Sequence, residues 1–301
     1  MDIIKFKKIY FAISLLILIP GIISLFLWGL NLSIDFTGGT RISLSFPKEV
    51  SQKQIEQTKK IIEEQGVKVP VIEKSGDRLF LRTTPLEQKQ NESFTNKLKE
   101  IEPQAKIDEL ATVGPTIGRE TTVNAVKAVV IASLLIVIYI SLVFRKVPKP
   151  ASSIRFGVSA IAALVHDVLV VIGVFSILGH FLNVEIDSLF ITALLTVIGF
   201  SVHDTIVVFD RIRENLGKRG ALNFSEVVND SILQTLNRSL NTSFTVILVL
   251  LGLLIFGGES IRWFVVALLV GIASGTYSSI FNAAPILVVW HDWSQKRKSK
   301  N

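Results

Sequence analysis

The sequence predicts a polytopic α-helical membrane protein, with six transmembrane helices and one α+β domain between the first and second of them. Three observations carry that reading. The 301 residues are 49% hydrophobic and only 19% charged, and a mean hydropathy of +0.51 is that of a chain in contact with lipid. Six apolar runs are each long enough to cross ~30 Å of hydrocarbon, which takes about 20 helical residues. A polar stretch, residues 31–122, interrupts them once, and its residues alternate as strands and helices do.

The first run, Ile9–Leu30, follows Lys5, Lys7 and Lys8. It exceeds the apolar core of a signal peptide and no small-x-small cleavage site follows, so residues 1–30 read as a cytoplasmic N-terminus with a retained anchor. The other five runs are Ala125–Phe144, Phe156–Leu178, Leu189–Phe209, Leu240–Phe256 and Phe264–Trp290. Orientation comes from the short loops. Arg145, Lys146, Lys149 and Arg155 lie between spans two and three, and Arg211, Arg213, Lys218 and Arg219 follow span four, whereas "GHFLNVEID" and "GGESIR" on the other side hold one Arg. The positive-inside rule then sets both termini, and the basic tail 291–301, in the cytoplasm.

Residues 31–122 consequently fall outside. An alternating run "TRISLSF" is followed by an amphipathic helix at Ser51–Gln65, strands "VKVPVIE" and "DRLFLRT" joined through a Ser-Gly-Asp turn, a helix near Leu86–Ile101 and a last strand "AKIDELA". That βαββαβ order is the split βαβ, or ferredoxin-like, plan for the extracytoplasmic domain. Gly and Pro in "SIDFTGGT" and "TVGPTIGRE" read as turns at its two junctions. Residues 123–290 then supply helices two to six, with an amphipathic segment at 211–239 expected to lie along the cytoplasmic interface on Val227, Val228, Ile232, Leu233, Leu236 and Leu240. Small residues mark close helix contacts: Gly271 and Gly275, and Gly157 with Ala160 and Ala163.

Several function classes drop out. With no cysteine there is no disulfide framework and no thiol chemistry. The net charge of +7 is spread over helix ends and the terminal "KRKSK", a pattern for membrane lipid and not for nucleic acid. No P-loop, zinc-type His cluster or nucleophile elbow is present, so the sequence points to no ATP use, metal, cofactor or catalytic residue.

The ionisable residues inside the spans are the candidate site. Asp204 lies two turns before Arg211, hence about 10 Å inward of the basic cluster. It is either a structural ion pair or a carboxyl that binds and releases a proton, burial favouring the neutral acid and a nearby cation the charged form. Arg238, at the start of span five, can pair with Asp204 across the short loop or snorkel to the interface. His166 and Asp167 sit near the middle of span three, and His203 precedes Asp204. Each histidine can relay a proton or simply bond a neighbouring helix. Asp210, Arg211, Arg213 and Glu214 read as a solvated helix end, and His291 and Asp292 as lying past the last span.

The stretches "IDFTGGT", "VGPTIGRE", "HDVLVVIGVFSILG", "HDTIVVFDRIREN" and "LNRSLNTS", with the Gly-rich last span, together resemble the SecF family across nearly the whole chain. SecF is the smaller membrane subunit of the bacterial SecD–SecF accessory to the Sec translocon. The resemblance implies a resistance-nodulation-division type of membrane half, a SecD-like partner, the Sec translocon channel, and an unfolded preprotein as the substrate moved late in export by the proton gradient. It carries Asp204 onto the family's proton-path Asp and Arg238 onto its functional Arg, and implies the bacterial cytoplasmic membrane. The chain departs from the family at Ser33, where relatives carry Gly before "IDFTGGT". Two rival readings are a structural subunit that stabilises SecD, and a small-molecule or lipid exporter of the wider superfamily.

Overall fold

The computed structural model describes residues 2–145, 147–148, 152–219 and 223–298. Lys146 and Lys149 of the basic loop and residues 299–301 of the tail lie outside them. The chain divides into two compact units, Leu32–Val126 and the remainder.

In the smaller unit, Ser33 has φ −72° and accepts a hydrogen bond from the Asp35 amide, capping the short helix α2 (Ile34–Thr37). Serine suits this position, which needs a cap and no left-handed backbone. The left-handed turn comes just after, at Gly38 (φ 72°) and Gly39 (φ 134°). Strand β1 (Gly39–Ser45) follows, then α3 (Gln52–Glu63), β2 (Val71–Ser75), β3 (Arg78–Thr83), α4 (Gln88–Ile101) and β4 (Lys106–Val113). The order is βαββαβ as expected, with all neighbours antiparallel in a sheet ordered β2-β3-β1-β4. Ser51 and Gln54 close a capping box at the start of α3. Ile42, Leu44, Leu79 and Leu81 from the strands meet Ile61, Ile62, Phe94 and Leu98 from the two helices in one buried core. Glu73 on β2 is half-buried opposite Phe80, and that burial pushes its carboxyl above the usual carboxylate range.

The "TVGPTIGRE" stretch differs from the expected turn. Pro115 opens a helix, α5 (Pro115–Val143), as proline does at a first helical position. Gly118 sits where a Cβ would stand 3.0 Å from the Phe36 carbonyl.

The larger unit holds α1 (Lys7–Trp28), α6 (Ser153–Leu182), α7 (Ser188–Arg219), α8 (Phe224–Phe256), α9 (Glu259–Ser278) and α10 (Ala284–Lys298). With α5, and with α9 and α10 taken as one segment, six helical segments among the described residues are long and apolar enough to span a membrane. α1 and α6 cross at two glycines: a Cβ on Gly21 would stand 3.0 Å from Gly173 Cα, and one turn on the Ser24 and Ser176 hydroxyls meet at 2.7 Å. The rings of Phe144, Phe156 and Phe209 meet pairwise at 5.0–5.7 Å, tilted or edge to face, and tie the end of α5 to α6 and α7. Ala160 and Ala163 are buried as expected, but no atom approaches within 4 Å of a Cβ built on Gly157.

Two features correct the sequence reading. Of the 211–239 segment, residues 211–219 are the last turns of α7 and residues 224–239 the first turns of α8. Val227, Val228 and Ile232 are buried against the bundle, while Asn215 donates to Ser231 Oγ at 2.8 Å and to Gln234 at 3.0 Å, holding the two helices side by side. The helical spacing is real, but Val227, Val228 and Ile232 of the stripe face protein, whereas Leu233 and Leu236 are half-buried and Leu240 is exposed. The last span is also interrupted: Ser279–Ala283 form a π-helical turn between α9 and α10. Pro285 explains it, since proline has no N–H for the Phe281 carbonyl and its ring crowds that carbonyl, so the helix widens to pass it.

Candidate functional site

Serine, threonine and carboxylate side chains collect on the inward faces of α6, α7, α8 and α9. Asp167 on α6 is wholly buried. Its Oδ2 accepts hydrogen bonds from Ser201 of α7 and Ser278 of α9, both at 2.6 Å, and its Oδ1 accepts one from Ser274 of α9 at 2.7 Å. The Nδ1 of His166 lies 3.0 Å from the same Oδ1. Four donors on two oxygens satisfy an ionised carboxylate, the form that burial otherwise penalises most. Gly275 permits this convergence, because a Cβ there would stand 3.0 Å from Ser201 Cβ and 3.6 Å from Asp167 Oδ2.

Asp204 is the opposite case. It lies three residues after Ser201 on the same inward face of α7 and is 2% exposed. Its Oδ2 is buried and accepts no hydrogen bond from the described residues. The nearest polar groups are His203, whose Nδ1 is 3.8 Å from Oδ1 and so beyond hydrogen-bond reach, and Ser243 of α8. Ser243 Oγ in turn meets Thr276 Oγ1 of α9 at 2.5 Å. One helical position from Asp204, Thr205 bonds Ser279 at the π-helical turn at 2.8 Å. The site thus holds two buried carboxyls, one saturated with donors and one nearly bare.

The remaining candidates divide. His203 points away from the bundle, its side chain 63% exposed within this chain. Arg238 is also exposed on α8, and among the described residues no ion pair joins it to Asp204. The structure therefore brings Asp167, His166 and Asp204 into one interior cluster and leaves His203 and Arg238 on its outside. Asp210 with Arg213, and Arg211 with Glu214, pair along the helix end as expected. Past the last apolar run, Asp292 accepts Lys7 at 3.2 Å and His291 stacks on Phe224. No group of three or more His, Asp or Glu that could hold a metal ion occurs among the described residues.

The sequence reading missed the serines. Ser274 and Ser278 stand four apart on α9 and Ser201 three before Asp204 on α7, which is the spacing of one helix face. That signal lies beside Gly271 and Gly275, and just before His203 and Asp204.

A polytopic membrane unit with buried, unevenly satisfied carboxyls in its helix bundle, joined to a four-stranded α+β unit, defines a class of transport-type membrane proteins. The comparisons specify it further. The family model for the protein export membrane protein SecD/SecF, C-terminal, matches residues 93–293, and the SecD/SecF GG motif matches residues 23–48. The chain belongs to the SecD/SecF family. It is 48% identical to protein translocase subunit SecF of Thermobaculum terrenum over 97% of this chain and 94% of that one. It is 42% identical to the same subunit of Anaerolinea thermophila over 96% and 94%. The crystal structure of SecDF from Thermus thermophilus superposes with a TM-score of 0.82 at 36% identity, covering 97% of this chain and 39% of the longer one.

Proposed function

We propose that this chain is a SecF-type subunit of the protein translocase, acting with a SecD-like partner and the Sec translocon channel to drive late export of unfolded preproteins by the proton gradient. It performs no covalent chemistry of its own. The partner is supported by SecDF of Bacillus subtilis, a single protein of which this chain matches 38% at 36% identity; the rest of such a chain has room for the second half. The sheet order and βαββαβ sequence of the outer unit support a ferredoxin-like plan, and the basic loops support an extracytoplasmic place for it, with both termini on the cytoplasmic side of a bacterial inner membrane.

The observation that carries the mechanism is the bare Asp204 oxygen. An unpaired carboxylate buried among helices is a costly form, and taking up a proton relieves the cost. If Arg238 swings to Asp204 in another state of the cycle, the charged form becomes the favoured one there, so a proton binds in one state and leaves in the other. By reciprocity, proton binding drives the change of state. One charge crossing 100 mV supplies about 2.3 kcal/mol, enough to shift such an equilibrium more than tenfold.

The test is gradient-driven export in membrane vesicles. Asp204→Asn should assemble with its partner and lose the response to the gradient, with Asp204→Glu keeping part of it. Arg238→Met should impair coupling without loss of assembly. A gradient response in the Asn variant equal to wild type would mean that Asp204 only holds helices together.

A further inference from the structure

The proton-coupled reading uses Asp204 and leaves the other buried ionisable pair, His166 with Asp167, unexplained. Its geometry fixes a protonation pattern. Asp167 accepts three serine hydroxyls and faces His166 Nδ1 at 3.0 Å. A carboxylate surrounded by donors is ionised, so the nitrogen beside it carries the hydrogen and donates. The neutral ring then has its lone pair on Nε2. That atom is buried and has no hydrogen-bond partner among the described residues. An imidazole whose Nδ1–H is gripped by a fixed carboxylate is the arrangement that stabilises the imidazolium once Nε2 takes a proton, as the base of a catalytic triad does.

We propose that His166 is a second proton-accepting group of the membrane bundle, binding a water-borne proton on Nε2 while Asp167 stays ionised and holds the ring. The inference rests on the proton-coupled reading of the protein. The step is balanced: the Nε2 lone pair takes one proton, the ring becomes imidazolium beside the Asp167 anion, and release restores the neutral pair. Asp167 is a positioning residue here and exchanges no proton. Its serine ladder binds α7 and α9 to α6, so a sliding of α9 that withdrew Ser274 or Ser278 would change how firmly the imidazolium is held. Among the described side chains, the ionisable groups on elements packed against α6 are His203, Asp204, Asp210, Arg211, Arg213, Glu214 and Lys218 on α7, Glu259, Arg262 and Tyr277 on α9, Lys7, Lys8 and Tyr10 on α1, and His291, Asp292, Lys296 and Arg297 on α10. Lys7 pairs with Asp292, and Tyr277 donates its hydroxyl to the Tyr10 carbonyl. Among these, Asp204 is the buried carboxyl on the face of α7 that also holds Ser201, one of the donors to Asp167.

His166→Asn separates the two nitrogens, because an Asn amide reaches the position of Nδ1–H and can donate to Asp167 but has nothing that titrates. Gradient-driven export by the full complex in vesicles, measured from about pH 5 to 8, should lose its dependence on this group. The pH of half-maximal rate is expected to move by about one unit or more, corresponding to a tenfold change in proton affinity. A His166→Asn profile that overlays wild type at every pH overturns the proposal. Should that variant fail to assemble, nitrogen NMR of imidazole-labelled wild-type chain in its complex decides. With four histidines in the chain, a ring protonated at Nδ1 that gains a proton at Nε2 in this range supports the proposal, and four rings without that behaviour refute it. A shifted His166→Asn profile alongside a normal gradient response in Asp204→Asn would fault Asp204 alone; the reverse pair of results would fault His166 alone.

Discussion

Gly271→Ala tests how tightly α9 is held to the helix that carries Asp204. A Cβ at Gly271 would fall 2.6 Å from Val197 Cγ1 and 2.9 Å from Val197 Cβ, with Cγ2 nearer still. Carbon atoms rest at about 3.5–4 Å, so the helices must part by roughly 1 Å. Val197 cannot turn aside, since it is buried and a β-branched side chain in a helix keeps one favoured rotamer. Overpacking of this kind costs about 1–3 kcal/mol, and at ~2–4 °C per kcal/mol for a unit of this size the melting temperature should fall by several degrees. Function should fall as well, because Gly275, one turn on, sits 3.0 Å by its Cβ direction from Ser201, and parting the helices there lengthens the Ser274 and Ser278 bonds to Asp167. The assay is a double-mutant cycle on the detergent-solubilised complex, with melting and vesicle export as readouts. Val197→Ala removes both γ carbons and leaves the 2.9 Å approach, so it should recover part of the loss; Val197→Gly should recover more, relative to each Val197 variant alone. Additive effects of the two substitutions would refute the close crossing.

Two further outcomes concern the smaller, α+β unit. A fragment of residues 32–114 should unfold cooperatively, and Phe94→Ala, which empties a wholly buried site between α4 and the sheet, should lower its stability by about 3–5 kcal/mol in urea titration. Glu73 should make that fragment less stable as pH rises: its folded-state pKa lies above the ordinary 4.5 through desolvation, so the folded form holds the proton longer than the unfolded one. Stability is then greatest below the ordinary value and falls as pH climbs through the window above it. Glu73→Gln should flatten that slope, and an unchanged slope would contradict the assignment.

The six spans were legible because length and hydropathy suffice for them. The α+β unit was legible because its elements have local signatures: the Ser51–Gln54 capping box, Gly76 at the hairpin turn, alternation in β3. What resisted was anything set by rotation about a helix axis. Periodicity told that Val227, Val228 and Ile232 share a stripe, but a stripe packed on protein and one laid on lipid look alike in a sequence. The serine ladder was hidden for a related reason, since Ser274 and Ser278 have meaning only once Gly275 lets α9 approach Asp167.

The same limit accounts for Arg238. Asn215 bonds Ser231 and Arg211 bonds Gln234, and that antiparallel register continued up the hairpin sets Asp204 beside about residue 242. Arg238 then stands roughly one turn, ~6 Å, nearer the α7–α8 connection, which a long guanidinium side chain can bridge. Azimuth is what separates the pair. Ser239 and Ser243, four apart, are buried and face the bundle, and Arg238, about 100° round the helix from Ser239, faces outward. A rotation of α8 about its own axis would bring Arg238 round to the side of Asp204, and its long side chain would span the remaining turn without sliding the helix. Such a rotation would also carry Ser243 away from Thr276 and from the carboxyl. On the proposed reading Arg238 and Ser243 would be alternative neighbours of Asp204, one arriving as the other leaves, and exchange between a cation and a hydroxyl is the change of surroundings that a carboxyl releasing a proton requires.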